Sequence, residues 1–414
     1  MKTLSHQIMA LAITLCSVTL SAYAETWTDP STGITWTYTV LSDGTASLGG
    51  GTSSTPAIPT STTGSIVVPQ YVNGLLVTGL ADHAFERCWY MDSIEFIHPL
   101  SHIGDGIFYN CSLLKSIKGC QYWDMSKKTY LDGIFAGCES LTNIEGLEAW
   151  DTSNVETIGD LFYFCKSLSL LVNSPTYDGF VNFQLQDWNT SSLKRMALTF
   201  AYSGIIDFDA NWNTSNLVEF DHVFQNCYNL RVVFINLSSN LNNLESMDYA
   251  FENCSSLESI FLPDRTGLTK RFSLYSTFSG CTSLHDIDLS GFNFDTFGRG
   301  VTDFLYKTFV GCTNLREIRL PNCIGELDDY ENSYECLDEE ISEDWFKVAL
   351  LHQTFDGCIN LKSVVGMGLK DNNWQSRYND FLHKSILYNP YDVNEDGSVD
   401  ISDVVKIVNH ILGQ

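Results

Sequence analysis

The 414-residue chain is poor in positive charge: 23 Lys and Arg stand against 50 Asp and Glu, a formal net charge of −27. So acidic a chain repels phosphate backbones and anionic lipid, which argues against nucleic acid and an anionic membrane surface as partners. Long apolar runs are also lacking. The one candidate, Ile8 to Leu20, is short for a membrane span, and no later segment is suited to cross a bilayer. Gly-x-Ser-x-Gly, His-Glu-x-x-His and the P-loop are missing, and the nine His are scattered rather than paired at ligand spacing. With carboxylates this abundant, no single pair of them is informative about catalysis. These absences point away from an enzyme. What is present is a chain 44% hydrophobic and 13% aromatic, enough for a substantial core.

Residues 1–24 read as a secretory signal. Lys2 supplies the positive start, Ile8 to Leu20 the apolar region, and Ala22-Tyr23-Ala24 a small-x-small cleavage site before Glu25. Leu15 precedes Cys16 where a lipobox needs a small residue, so ordinary export is expected rather than lipidation.

From Phe85 onward one phrase returns: Phe, two variable residues, Cys, two more, then Leu, with Ile or Val three residues later. Its copies begin at Phe85, Phe108, Phe135, Phe162, Phe224, Phe251, Phe278, Phe309 and Phe355. A tenth at Phe200 carries Ser203 in place of Cys. Successive Phe positions are often 27 residues apart, a solenoid period. Stretches such as Ser256 to Pro263 and Asn314 to Pro321 end in Ile-x-Leu-Pro, which suits one short strand per coil, closed by proline. Phe is expected on a short helical turn on the opposite side. One coil cannot bury its own Phe, Cys, Leu and Ile, whereas stacking at about 4.8 Å turns these positions into columns.

Twelve cysteines follow residue 24, and nine share one position of the repeat. Stacked Cβ atoms at the strand spacing stand farther apart than the roughly 3.8 Å of a disulfide, so the column reads as small buried thiols. Cys120, Cys323 and Cys336 fall outside it; a Cys323–Cys336 pair would still leave one thiol over.

Before the first coil, Ile34 to Val40 alternates strictly and Ser42 to Thr45 is a turn, a hairpin suited to cover the open end of the stack. Ser53 to Gly64 reads as a loop, followed by the first strand at Gly64 to Pro69. A second phrase recurs at Trp150, Trp188 and Trp212, each followed by Asp or Asn, Thr and Ser, which bond their own backbone and begin a turn. The three indoles fit two arrangements equally: an exposed aromatic stripe that binds a partner, or packing along the coil edge. Insertions near 175–187 and 326–340, the second strongly acidic, break the period and are places where a partner could bind or charge simply be solvated. Trp374 to Ile386 has helical spacing, consistent with a C-terminal capping helix.

The sharpest chemical signal is Asp392 to Asp403, which matches a twelve-residue EF-hand-type loop. Asp392, Asn394 and Asp396 supply oxygens at positions 1, 3 and 5, Gly397 turns the chain, Ser398 offers its carbonyl, and Asp400 and Asp403 sit at positions 9 and 12. Ca2+ is the expected ion, since without a cation the clustered carboxylates repel. Val404 to Ile411 then forms one helix.

The Phe-x-x-Cys coils with Ile-x-Leu-Pro strands resemble the BspA-type leucine-rich repeats of bacterial surface proteins over roughly residues 64–370. The Trp-Asp/Asn-Thr-Ser copies look like the related 26-residue repeat of bacterial surface lipoproteins. The resemblance implies an α/β solenoid: a right-handed stack of short strands and short helical turns, with an N-terminal β-hairpin cap at 25–63. It also implies a bacterial cell-surface or extracellular location, and binding to a protein ligand such as a host matrix or cell-surface protein. Residues 390–414, after a capping helix or linker at 371–389, resemble one dockerin type I repeat. That implies Asp392, Asn394, Asp396, Asp400 and Asp403 as calcium ligands, with Ile401 and Ser402 at positions that help recognise cohesin. A dockerin normally has two such repeats, and no second Asp-x-Asn-x-Asp-Gly is found. The dockerin resemblance implies the alternative reading, a non-catalytic cargo of a cohesin–dockerin assembly, and the single copy counts against its cohesin binding.

Overall fold

The cap begins with β1 (Glu25–Thr28), β2 (Thr35–Val40) and β3 (Ala46–Leu48), an antiparallel meander. The strict alternation of β2 drives Trp36 and Tyr38 inward, and Trp36 meets the first repeat Phe edge-on, 6.5 Å from the Phe85 ring. The loop after β3 takes part as well: Ala57 and Ile58 are buried, and Ala57 accepts from Thr37 N. The computed structural model describes residues 23–169, 185–210, 212–235, 243–261, 273–290, 305–319 and 354–365. The signal segment up to residue 22, the acidic insertion, Cys323, Cys336, the capping helix and the calcium loop lie outside the described residues.

The coils place their strands in parallel ladders. One sheet runs β10 (Asn143–Ile144), β9 (Ser116–Lys118), β7 (Met91–Glu95), β4 (Gly64–Val67). A second joins β11 (Asp207–Ala210), β12 (Val232–Ile235) and β13 (Ser259–Phe261), and a third joins β14 (Asp286–Asp288), β15 (Glu317–Arg319) and β16 (Ser363–Val365). Register holds one apolar residue of each coil in line: Ile66, Ile94, Ile117 and Ile144, then Val233 with Ile260, then Ile287, Ile318 and Val364. The cap joins a different ladder, in which β3 pairs β6 (Leu75–Leu80) and β6 pairs β8 (His102–Ile103), while β5 (Tyr71–Val72) folds back on β6. A further ladder of single bridges links Tyr130, Thr157, Arg195, Glu219, Ser246 and Ser273, each five residues before its Phe.

The expected helical turns around Phe are not what the chain forms. At all nine positions from Phe85 to Phe309 the residues two before and two after Phe have left-handed φ, as at Gly133 (64°) and Gly137 (75°), or Tyr249 (57°) and Asn253 (60°). Two such residues so close together forbid an α-helix of L-residues. The segment is instead a run of β-turns, with Cys N donating to Phe O at 3.0–3.1 Å in the cysteine coils. Because no N–H is spent four residues back, alternate amides point along the stack. Phe N donates to the next coil at 2.8–3.1 Å, and the amide two residues on does so at 2.7–2.9 Å. Short 3-10 turns occur elsewhere, at Cys120–Tyr122, Leu147–Ala149 and Leu185–Asp187.

Burial is concentrated in the phenylalanine column. Ten Phe rings from Phe85 to Phe355 stack one on the next, with centroids 5.4–6.1 Å apart and planes within 2–13°. The steps across the two insertions, Phe162 to Phe200 and Phe309 to Phe355, are both 5.6 Å, so the added residues leave the column intact. A buried Phe contributes about 1.5–3 kcal/mol and each offset stack about 0.5–1.5 kcal/mol more.

Candidate functional site

Strand alternation turns one residue of each coil inward and its neighbours outward, which lays two rows across the first sheet. Ser65, Ser93, Ser116 and Asn143 form one, with Ser93 Oγ donating to Ser65 Oγ at 2.8 Å. Val67, Glu95 and Lys118 form the other, all exposed. Lys115 and Asp92 pair at 2.9 Å where β9 begins. Backbone ladders on both sides hold these side chains at fixed spacing, which suits recognition of a surface rather than enclosure of a small molecule. Among the described residues no group of His, Cys, Asp and Glu is placed to hold a metal, and no helix is long and apolar enough to cross a membrane.

The cysteine column is a structural device. Each column thiol from Cys111 on donates to the carbonyl of the preceding coil's Phe, as in Cys111 to Phe85 O (2.9 Å), Cys254 to Phe224 O (3.0 Å) and Cys358 to Phe309 O (3.0 Å). The thiol thus adds a second donor to a carbonyl that already accepts from a Cys amide, as well as filling space, and at Ser203 the hydroxyl lies 3.5 Å from Cys227 Sγ. All the described cysteines are free and buried, Cys120 included. Burial pushes the Cys227 thiol up to about 12, and Cys111, Cys254 and Cys312 well above their usual range. Thiols so hard to ionise are poor nucleophiles and poor metal ligands.

Trp150, Trp188 and Trp212 are buried, so of the two arrangements the sequence left open the chain adopts packing. Trp123 heads their column, followed at 5.7, 5.8 and 6.3 Å by the three in order. Their Nε1 groups donate to Cys120 O, Leu147 O and Leu185 O at 2.8–3.0 Å. Buried indoles form no exposed stripe, and each Nε1 finds its acceptor within the neighbouring coil. The adjoining Asp151, Asn189 and Asn213 accept from the backbone two residues on, the local turns their residue types favour. The Asp151 carboxyl is held below its usual range by the Ser153 side chain and amide. The calcium-loop residues Asp392, Asn394, Asp396, Ser398, Asp400 and Asp403, and Ile401 and Ser402, lie outside the described residues.

Sequence reasoning missed an aromatic ladder on the turn side. His222, Tyr249, Tyr275 and Tyr306 stand at two or three residues before successive Phe positions, with centroids 4.7, 5.1 and 5.3 Å apart. Tyr163, Phe164 and Tyr202 cluster beside the earlier coils, with Lys166 Nζ 4.6 Å from the Phe164 ring. The signal was the recurrence of His or Tyr two or three residues before Phe in four successive coils.

Residues 199–336 match the family described as BspA type leucine rich repeat region, in six copies. That stretch is similar to the BspA-type leucine-rich repeats. The stretch 104–202 matches a second family, described as Mycoplasma protein of unknown function, DUF285. No curated protein matches the chain. Among solved structures, the chain is similar to a leucine rich cell surface protein from Faecalibacterium prausnitzii A2-165, at 18% identity and TM-score 0.36, covering 84% of this chain and 96% of that one. A leucine-rich repeat protein from Bacteroides ovatus ATCC 8483 is similar at 20% identity and TM-score 0.24, with 84% and 95% covered. For the T. pallidum leucine rich repeat protein the values are 18%, 0.29, 60% and 87%. The turn geometry of the BspA-type stretch extends past it in both directions. The coils of Phe85 to Phe162 have the same paired left-handed residues, and Phe355 stacks on Phe309.

Proposed function

We propose that this is an exported, cell-surface or extracellular bacterial protein that binds another protein through the strand face of a right-handed solenoid. The observation that carries the reading is the double row of outward residues on β4, β7, β9 and β10, rigidly spaced and free of any catalytic cluster. The repeat family, one of surface proteins that bind other proteins, supports it. Host matrix or cell-surface protein is the expected ligand. The test is capture of the full-length protein by immobilised host matrix proteins and host cells, beside the doubly reversed variant Glu95→Lys with Lys118→Glu. The expected result is binding that the variant loses without a change in melting temperature. No capture by any matrix protein or cell surface overturns the adhesive reading.

The C-terminal loop is assigned Ca2+, held by Asp392, Asn394, Asp396, the Ser398 carbonyl, Asp400 and Asp403 on the donor chemistry of its sequence. Calorimetric titration of the full chain should show one site, lost in Asp392→Ala with Asp403→Ala. If capture instead requires cohesin and calcium together, Ile401 and Ser402 become the contact and the solenoid becomes cargo.

A further inference from the structure

The cap protects one ladder and leaves the other bare. It closes the ladder of β6 and β8 by pairing β3 to β6, while β4, the first strand of the main sheet, pairs among the described residues only with β7. In a parallel ladder alternate residues direct both backbone groups to the same side. Val68 N donates to Glu95 O at 2.9 Å, so Ile66 and Val68 face β7, and Ser65 and Val67 face away from it. No described residue pairs with the outward amides and carbonyls of Ser65 and Val67. Both residues are exposed, Val67 by 52%. Pro69, next in the alternation, has no N–H, and its carbonyl accepts from His98 Nε2 at 3.1 Å, so the free edge is short and defined.

Soluble proteins usually blunt such an edge with Lys, a bulge or a covering loop. Here Gly64-Ser65-Ile66-Val67 carries no charge, and the edge opens into a cleft of ≈ 600 Å³ walled by Thr32, Thr35, Pro59 and Thr62. No residue lining the cleft is charged, although the chain's net charge is −27. Exposed apolar side chains adjoin both ends: Trp89 and Tyr90 immediately precede Met91, the partner of Gly64, and Ile97 extends the outward row beyond Glu95, the partner of Val67.

We propose that the β4 edge is a docking site for one extended peptide segment, added as a further strand of the main sheet. Two donors and two acceptors spaced along a strand are the complement of a peptide backbone. The uncharged hydroxyl and apolar lining selects a segment of Thr, Ser and Val character, and the surrounding negative charge disfavours acidic ones. The site uses the edge of the sheet rather than its face, so the Glu95/Lys118 double variant leaves it intact and the two readings fail separately.

The test uses the full-length protein and a labelled, capped peptide alternating Thr and Val, read by fluorescence anisotropy. Controls are the same peptide N-methylated along one edge and a version with Asp replacing Thr. Binding of the plain peptide is expected, weakened about tenfold by Val67→Pro, which removes one free donor without breaking any bond within the protein. N-methylation of the pairing edge should abolish binding, and the Asp version should bind at least about tenfold more weakly. Hydrogen exchange supplies a reading that does not depend on the variant: the Ser65 and Val67 amides should exchange fast in the free protein and slow with peptide. Slow exchange in the free protein, equal binding by Val67→Pro, or protection that rises with protein concentration alone overturns the proposal, the last by making a second copy the occupant.

Discussion

The turn side and the strand side of this solenoid obey opposite rules. On the turn side the coils from Phe108 to Phe309 repeat the same solution: a Phe between two left-handed residues, its amide bonded to the next coil, and a thiol or hydroxyl three residues later facing a buried carbonyl or neighbour. On the strand side only an inward apolar residue is constant, Ile or Val in most coils and Phe208 on β11, and outward residues change from Ser, Val and Glu in the first coils to Asp, Glu and Arg at β14 and β15. The difference teaches where the fold is fixed and where it is free to recognise a partner. The two insertions leave the Phe spacing at 5.6 Å, so the turn-side column keeps its geometry whatever its coils add elsewhere.

The largest expected break comes from alkali. A buried thiol kept neutral in the fold ionises near pH 8.5 once unfolded, so above that pH the unfolded state binds fewer protons and stability falls. The loss is about 1.4 kcal/mol per pH unit for each thiol, and for Cys227 it continues to its folded value of about 12. Below pH 8 the term vanishes. Urea melts at pH 8, 9.5 and 10.5 should show a steep decline, shallower by one thiol's share in Cys227→Ala.

Next in size is Phe135→Ala, which empties the column between Phe108 and Phe162 and should cost about 3–5 kcal/mol by equilibrium unfolding. Its position mid-stack should also split one cooperative transition into two. Trp150→Phe keeps a ring but removes one of the two donors on the Cys120 carbonyl, which still accepts from Trp123 N, for a loss of about 0.5–1.5 kcal/mol by the same measurement. Smallest is Glu95→Ala on the strand face, expected within about 0.5 kcal/mol of the parent. A large loss there would erase the distinction between the two sides.

Much of this was legible in the sequence, and the misses have physical causes. The Phe, Cys, Leu and Ile columns follow from period alone. The turn was misread as helical because the residue before Cys passed as variable, yet it is Asn110, Gly137, Asn226, Asn253, Gly280, Gly311 or Gly357 in seven coils. Gly and Asn are the residues that tolerate left-handed φ, so that position announced the turn. The orientation of Trp150, Trp188 and Trp212 could not be read, because an indole beside an exposed Asp or Asn fits a corner facing either way. The open β4 edge was also hidden, since it depends on which ladder the cap joins, and the alternation of β2 does not say.

The most direct test of the claim that the turn side is architecture is site-resolved thiol labelling of the full-length protein with iodoacetamide at pH 8, read by mass spectrometry with and without urea. The account predicts that Cys88, Cys111, Cys138, Cys165, Cys227, Cys254, Cys281, Cys312 and Cys358 are all reduced, all unlabelled in the fold, and all released with unfolding. A disulfide within the column, or one member labelled at the native rate of an exposed thiol, would contradict it.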